Sequence, residues 1–259
     1  MIRHVFQLGA LVSVLLTAAA CGNKDAVPQN VANPDRFLFD RGEAALKEKK
    51  WLEAREYYRQ VFDNYPQSPV RPDAKLGIAD TYLGEKSAES LVLADSEYRE
   101  FLTYYPRHTR ADYAQYRLAM TYFQQMRGAD RDQTATREAL IEFQVFFDRF
   151  PDSKLMAEAK KNWRIARDRL SDSELEVSET YFRMGPYAWR GAVTRLLALL
   201  KEDPEYTHRD AVYYHLAEIY LKSDNKAQAV PYYQRLVDEF VQSEYLERAQ
   251  RRLKELNAK

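Results

Sequence analysis

The sequence predicts an all-α protein, a helical solenoid of about five helix-turn-helix repeats closed by a C-terminal helix. Three observations predict it. A small residue, a bulky apolar residue four positions on and a proline twelve positions on recur along the chain. Between these landmarks apolar residues fall at helical spacing rather than in strict alternation. The 259 residues also hold only 8 Gly and 10 Pro beside 46% hydrophobic and 30% charged residues, which leaves little room for long irregular segments.

The recurrence is specific. Ala54 precedes Pro66, Ala94 precedes Pro106, Ala139 precedes Pro151 and Ala192 precedes Pro204, each by twelve residues. Tyr58, Tyr98, Phe143 and Leu196 stand four past these alanines. A fifth copy runs Leu216, Ala217, Tyr220, Ala229 and Tyr233, with Val241 in the proline's place. Ile78-Ala79 with Tyr82, and Leu118-Ala119 with Tyr122, supply first-helix signatures, and Gly42 stands twelve before Ala54. The alanine lets the second helix close on the first. The proline lacks an N–H and clashes with the preceding turn, so it ends that helix. This pattern resembles the tetratricopeptide (TPR) repeat, a unit of about 34 residues.

The elements follow in order. Residues 1–20 read as an export signal, with Arg3 in a positive start and a charge-free apolar stretch from Val5 to Ala20, short of the roughly 20 apolar residues that span a bilayer. It ends Leu16-Thr17-Ala18-Ala19-Ala20-Cys21, which resembles a bacterial lipobox and implies cleavage before Cys21 and its lipidation; an ordinary A-x-A cleavage site is the alternative. Cys21 is the only cysteine in the chain, which excludes an internal disulfide. Residues 21–34 read as lipid anchor and tether, residues 35–151 as repeats one to three. Thr109 to Asp112 and Thr207 to Asp210 have the form of capping boxes that start first helices, and Ser171 to Glu174 repeats the pattern. Met126 to Gln133 is a charged insertion between the helices of the third repeat. Residues 152–259 hold a long linking helix over Ser153–Met184, kinked near Ser171, then the partner helix Ala188–Leu200, the fifth repeat at 209–240 and a capping helix over Ser243–Leu256.

Charge and motifs exclude several functions. Lys+Arg and Asp+Glu are both 39, so no basic surface invites nucleic acid. No HExxH, GxSxG, phosphate loop or GxGxxG occurs, the histidines at 108, 208 and 215 read as structural, and the sequence predicts no enzyme, no cofactor and no metal. The register of the first helices points Phe39, Leu46, Leu76, Leu83, Tyr113, Tyr116 and Phe123 into a concave groove, an apolar lining that marks a partner or substrate site; a register error of one residue would put some of them in the core instead. The 19 tyrosines either pack helices together or line that surface.

Lipobox, tether, five repeats and the insertion together resemble the BamD-like lipoproteins of the β-barrel assembly (BAM) machinery in Gram-negative outer membranes. The resemblance rests on Asp112-Tyr113, Gly128, the loop Asp130-Arg131-Asp132, Arg137-Glu138-Ala139 and Phe150-Pro151-Asp152-Ser153, and then on Tyr181, Ala188-Trp189 and Arg195. It implies a non-catalytic scaffold, lipid-anchored in the outer membrane and facing the periplasm, with Gly22 rather than Asp after the cysteine fitting that destination. The implied partners are POTRA domains of a BamA-like barrel subunit, unfolded outer-membrane proteins and accessory lipoproteins. The resemblance sets Arg195, with Trp189 and Tyr187, against a POTRA domain; an arginine fork suits a carboxylate better than a lysine would. A different periplasmic TPR adaptor in envelope or peptidoglycan biogenesis is the second reading.

Overall fold

The computed structural model describes residues 31–258, so the signal, Cys21 and most of the tether lie outside the described residues. Those described form eleven helices and no strand: α1 (Pro34–Lys47), α2 (Trp51–Asn64), α3 (Arg71–Glu85), α4 (Ala88–Tyr104), α5 (Ala111–Phe123), α6 (Thr134–Arg149), α7 (Met156–Met184), α8 (Pro186–Glu202), α9 (Arg209–Lys222), α10 (Lys226–Glu239) and α11 (Leu246–Asn257). Each helix packs on the next, and α1–α3, α3–α5, α5–α7 and α7–α9 also touch. This is an all-α TPR solenoid of five helix pairs with α11 as its last helix.

The landmark residues make the pairs. Ala54, Ala94, Ala139, Ala192 and Ala229 have no exposed surface; a side chain limited to one methyl lets the second helix lie close to the first. Behind each comes the bulky residue, and Tyr58, Tyr98, Phe143, Leu196 and Tyr233 are equally sealed. Where that residue is tyrosine, its hydroxyl finds an acid on the first helix of the same pair. Tyr58 donates to Glu43 at 2.6 Å, Tyr233 to Glu218 at 2.5 Å, and Tyr98 to Asp80. The tyrosine surplus is thus in large part core, with each hydroxyl satisfied as burial requires.

The core is not continuous. One cluster spans α1 to α5, a second joins α5, α6 and the start of α7, and two more lie around α8–α9 and α9–α11. The helix α7 bridges them: Ala159 belongs to the second cluster and Leu175 to the third. Midway the bridge is polar. Arg164 donates to Asp203 Oδ1 at 2.9 Å and Ser171 to its Oδ2 at 2.7 Å, and Asp203 is only 3% exposed.

Several expectations change. The Thr109 and Thr207 capping boxes do not form: α5 and α9 begin at Ala111 and Arg209 without a side-chain cap. The capping happens one step earlier in the turn, where Ser68, Ser153 and Ser243 accept the N–H two residues on and His108 Nδ1 takes the same role for Arg110. Those serines donate in turn to Asp35, Asp112 and Asp210 on the preceding repeat. Ser171 starts nothing and lies inside an uninterrupted α7 of 29 residues. Pro34 occupies the first helical turn of α1, where its missing N–H costs nothing.

Candidate partner-binding site

The α7–α8 hairpin begins with its turn. Gly185, at φ 104°, takes a left-handed conformation open to glycine at no steric cost, and Pro186 starts α8 at once. The tightness of this turn pushes Tyr187 outward, 77% exposed, beside Met184 at 49%. Trp189 folds back: its indole N–H donates to Phe182 O at 3.0 Å, and the two rings lie 6.1 Å apart. Tyr187 is therefore a free aromatic projection, and Trp189 a half-buried brace beneath it.

One and a half turns further along α8, Arg195 reaches back to α7. Its Nη1 donates to Glu174 Oε2 at 2.9 Å, with both side chains 42% exposed, and its guanidinium stands 5.5 Å from the Tyr181 ring. Tyr181 is fixed by a close approach of α8, since a Cβ on Gly191 would sit 3.1 Å from its ring. The guanidinium is thus pre-oriented on an aromatic face and paired to an exposed carboxylate that it exchanges at little cost.

The charged loop of the third repeat comes to the same helix. Gln133 pins it from within, donating to Gly128 O at 2.7 Å and Arg131 O at 2.9 Å, and Arg169 of α7 clamps Arg127 O at 2.6 Å. Asp132 is exposed and reaches the start of α6, where it accepts the hydroxyl of Thr134 at 3.0 Å. Asp130 and Arg131 remain exposed, 3.1 Å apart. With Ser173, Glu176, Val177, Thr180 and Tyr181 they wall a cleft of about 390 Å³. Tyr181 thus belongs both to this cleft and to the Arg195 platform. Burial together with the charges of Asp130, Glu179 and Asp172 pushes the Glu176 carboxyl above its ordinary range.

The structure brings Arg195, Asp130 and Arg131 onto one face over α7, with Tyr187 and Trp189 at its end, and leaves Asp132 as a support. Glu174, the partner of Arg195, was missed by sequence reasoning: 21 residues separate the two, and the helix hairpin alone makes them neighbours.

The groove fares differently. Phe39, Leu76, Leu83 and Tyr116 are 8%, 0%, 1% and 5% exposed; they are core, a correction to the expected lining. The central α3 is packed on both flanks, so its inward-facing leucines are covered by α1, α2, α4 and α5 rather than by solvent. Leu46, Tyr113 and Phe123 are half-buried. Tyr113 is held by Asp80, which accepts its hydroxyl at 2.9 Å and also pairs with Arg117 at 3.2 Å, and burial raises its phenol pKa.

Among the described residues no group of His, Cys, Asp and Glu could hold a metal ion, and no helix is long and apolar enough to cross a membrane. Similar proteins agree with one another. Outer membrane protein assembly factor BamD of Caulobacter vibrioides is 29% identical over 216 residues, covering 82% of this chain and 68% of that protein. The BamD of Rickettsia prowazekii is 25% identical over 83% of each chain, and that of Vibrio cholerae 24% identical over 76% of this chain and 83% of its own. Among solved structures, a TPR protein of Thermus thermophilus is 14% identical at a TM-score of 0.37, covering 87% of this chain and 100% of that one. Residues 31–229 match the family model described as YfiO, outer membrane lipoprotein, and the chain belongs to that family.

Proposed function

We propose that this protein is a non-catalytic scaffold of outer-membrane β-barrel assembly. Lipid on Cys21 anchors it in the outer membrane, with the solenoid in the periplasm. Its α7–α8 face holds a POTRA domain of a BamA-like barrel subunit, and unfolded outer-membrane proteins are received by the N-terminal repeats, where Leu46, Tyr113 and Phe123 keep partial exposure. The assembly role is supported by the assembly-factor relatives.

The observation that carries the docking reading is the convergence of Arg195 and the Asp130-Arg131 loop on Tyr181. Two stretches more than sixty residues apart in sequence form one surface of mixed charge with an exposed aromatic beside it, the make-up of an interface hot region. On binding, a partner carboxylate displaces Glu174 from Arg195; the Tyr181 ring keeps the guanidinium in place during the exchange.

Recovery of the barrel subunit with this protein from detergent-solubilised native membranes tests the reading. Arg195→Glu is expected to weaken that association by about 2–5 kcal/mol, leaving helicity and melting unchanged because the residue is exposed. Undiminished recovery of the barrel subunit would remove Arg195 from the interface. Recovery of cell-wall enzymes in place of any barrel protein would favour a peptidoglycan adaptor.

A further inference from the structure

Helices α7 and α9 are tied by a ladder with two histidine rungs. His208, just ahead of α9, and His215 within it stand seven residues apart; Asp172 and Glu179 stand seven apart on α7. Seven residues are about two helical turns, so the spacings match. His208 Nδ1 lies 3.0 Å from Asp172 Oδ1, and His215 Nε2 lies 3.0 Å from Glu179 Oε1. Tyr206 and Thr207 add hydroxyls to Asp172 and Asp168, each at 2.6 Å. The two rungs differ in their surroundings. The His208 side chain is 57% exposed and open to solvent, whereas that of His215 is 15% exposed.

His215 is enclosed by rings. Those of Phe182 on α7, Tyr214 on α9 and Tyr245 ahead of α11 lie 6.1, 5.6 and 6.0 Å from it. Both of its nitrogens are sealed from solvent, and neither completes an aligned hydrogen bond among the described residues. The neutral ring can turn its single N–H toward Glu179. A second proton would put a buried donor at Nδ1 without an acceptor, which is costly. Glu179 and Arg183 of α7 and Glu218 of α9 are the charged groups that face the ring. Glu218 is already engaged by Tyr233 of α10 at 2.5 Å and Arg252 of α11 at 3.1 Å. Behind the rings, Arg248 of α11 lies over Tyr245 and Lys222 of α9 over Phe182. Burial outweighs the pull of the Glu179 carboxylate and holds the imidazole below its ordinary 6.5.

The enclosure is joined to the α7–α8 turn. The Phe182 ring that meets His215 also lies 6.1 Å from the Trp189 ring, and Phe182 O accepts the Trp189 indole N–H. We infer that His215 is a proton-operated clamp. Neutral, it seals α9 against the end of α7; protonated, it leaves its aromatic enclosure and frees Phe182 together with the Trp189 brace. A histidine whose folded value is depressed contributes stability above its unfolded value, and that stability is lost as pH falls from there through the folded value. Acid therefore opens the clamp. The device belongs to α7 and α9 and does not rest on what docks at the α7–α8 face.

Nuclear magnetic resonance on the full-length chain in detergent micelles tests the clamp. The His215 ring and the Trp189 indole N–H are followed together from about pH 8 to about pH 5, the range in which histidine changes charge. Both are expected to titrate with one midpoint, below 6.5. The indoles of Trp51 and Trp163, which pack against Gly84 and Phe147, are expected to hold their positions. His215→Phe, and His215→Gln should the larger ring overpack, are expected to abolish the Trp189 titration and keep the indole at its neutral-pH position. Glu179→Gln, which removes a charge that favours the proton, is expected to lower the midpoint, and His208→Gln to leave it in place. A Trp189 indole that stays still while His215 titrates, or that still titrates in the His215 variants, would overturn the inference. So would a His215 midpoint above 6.5, which would make the proton a fastener rather than a release. Loss of the Trp189 titration in His208→Gln would also overturn it and assign the response to the exposed rung.

Discussion

Tyr58 is wedged between two helices that approach it through glycines. A Cβ on Gly42 of α1 would lie 2.7 Å from its ring, and one on Gly77 of α3 would lie 2.5 Å from the opposite side. Neither contact opens by rotating a flexible chain end, since the ring has no exposed surface and its hydroxyl is committed to Glu43. Gly77→Ala is therefore expected to destabilise by overpacking, by about 1–3 kcal/mol, against the small gain in helix propensity that alanine brings. Thermal melting followed by circular dichroism reads the balance; a variant that melts higher would mean that α3 shifts without strain. The spacing of Gly42, Ala54 and Tyr58 announced this packing in the sequence because it reflects sizes at fixed helical intervals. The acids that satisfy the tyrosines were not announced. Glu43, Asp80 and Glu218 look like any charged residue on an amphipathic helix until a second helix sets a hydroxyl against them.

At the scale of elements, α7 is the one helix that departs from the repeat length, and a polar belt rather than a core fixes its middle. Burial pushes the Asp203 carboxyl upward, but bonds from Arg164 and Ser171 and the charges of Arg164 and Arg167 outweigh it and hold the group below its usual 3.8. A carboxyl whose folded value is depressed contributes stability above its unfolded value, and that stability is lost as pH falls through the folded value. Asp203→Asn is thus expected to cost about 1–3 kcal/mol at neutral pH, for the buried guanidinium donors it leaves short of a partner. The difference from the parent chain should close as pH drops below about 4. Parallel melting curves across pH check this, and a gap that persisted in acid would mean that Asp203 acts through packing rather than charge. The length of α7 was legible from the run of apolar residues between Leu155 and Tyr181. The kink expected at Ser171 came from reading Ser171-Asp172-Ser173-Glu174 as a helix start. That pattern marks a start only where the preceding residues leave the helix, and here Arg164, Arg167 and Ser171 all need one continuous face to reach Asp203. The capping boxes at Thr109 and Thr207 misled because other groups hold those turns: His108 Nδ1 accepts the Arg110 N–H, and the Thr207 hydroxyl and N–H both donate to Asp168 of α7.

For the whole molecule, the solenoid and its helix pairs were readable from sequence, whereas the meeting of the Asp130-Arg131 loop with the Arg195 side of α7 and the lining of the concave side were not. For the lining, depth is the reason. Periodicity says which face of a helix is apolar, but a helix packed on both flanks, such as α3, buries residues that the same pattern would expose at an edge. Membrane attachment also belongs to this scale, since the folded body offers no spanning helix among its described residues. Among the described residues the first core side chain is Leu38, and Cys21 lies outside the described residues. Acyl burial contributes about 0.8 kcal/mol per CH2, and stable anchoring takes more than one chain, which the lipobox reading of Leu16 to Cys21 supplies. Cys21→Ser is accordingly expected to move the protein to the soluble periplasmic fraction with helicity and melting temperature unchanged. Fractionation of a strain that also carries Arg195→Glu separates lipid from partner as the anchor. If Cys21→Ser alone stays with membranes and the double variant does not, the barrel subunit retains the scaffold, and lipidation adds to a hold that docking already provides. If both variants stay bound, neither attachment argued for this chain accounts for its place at the membrane.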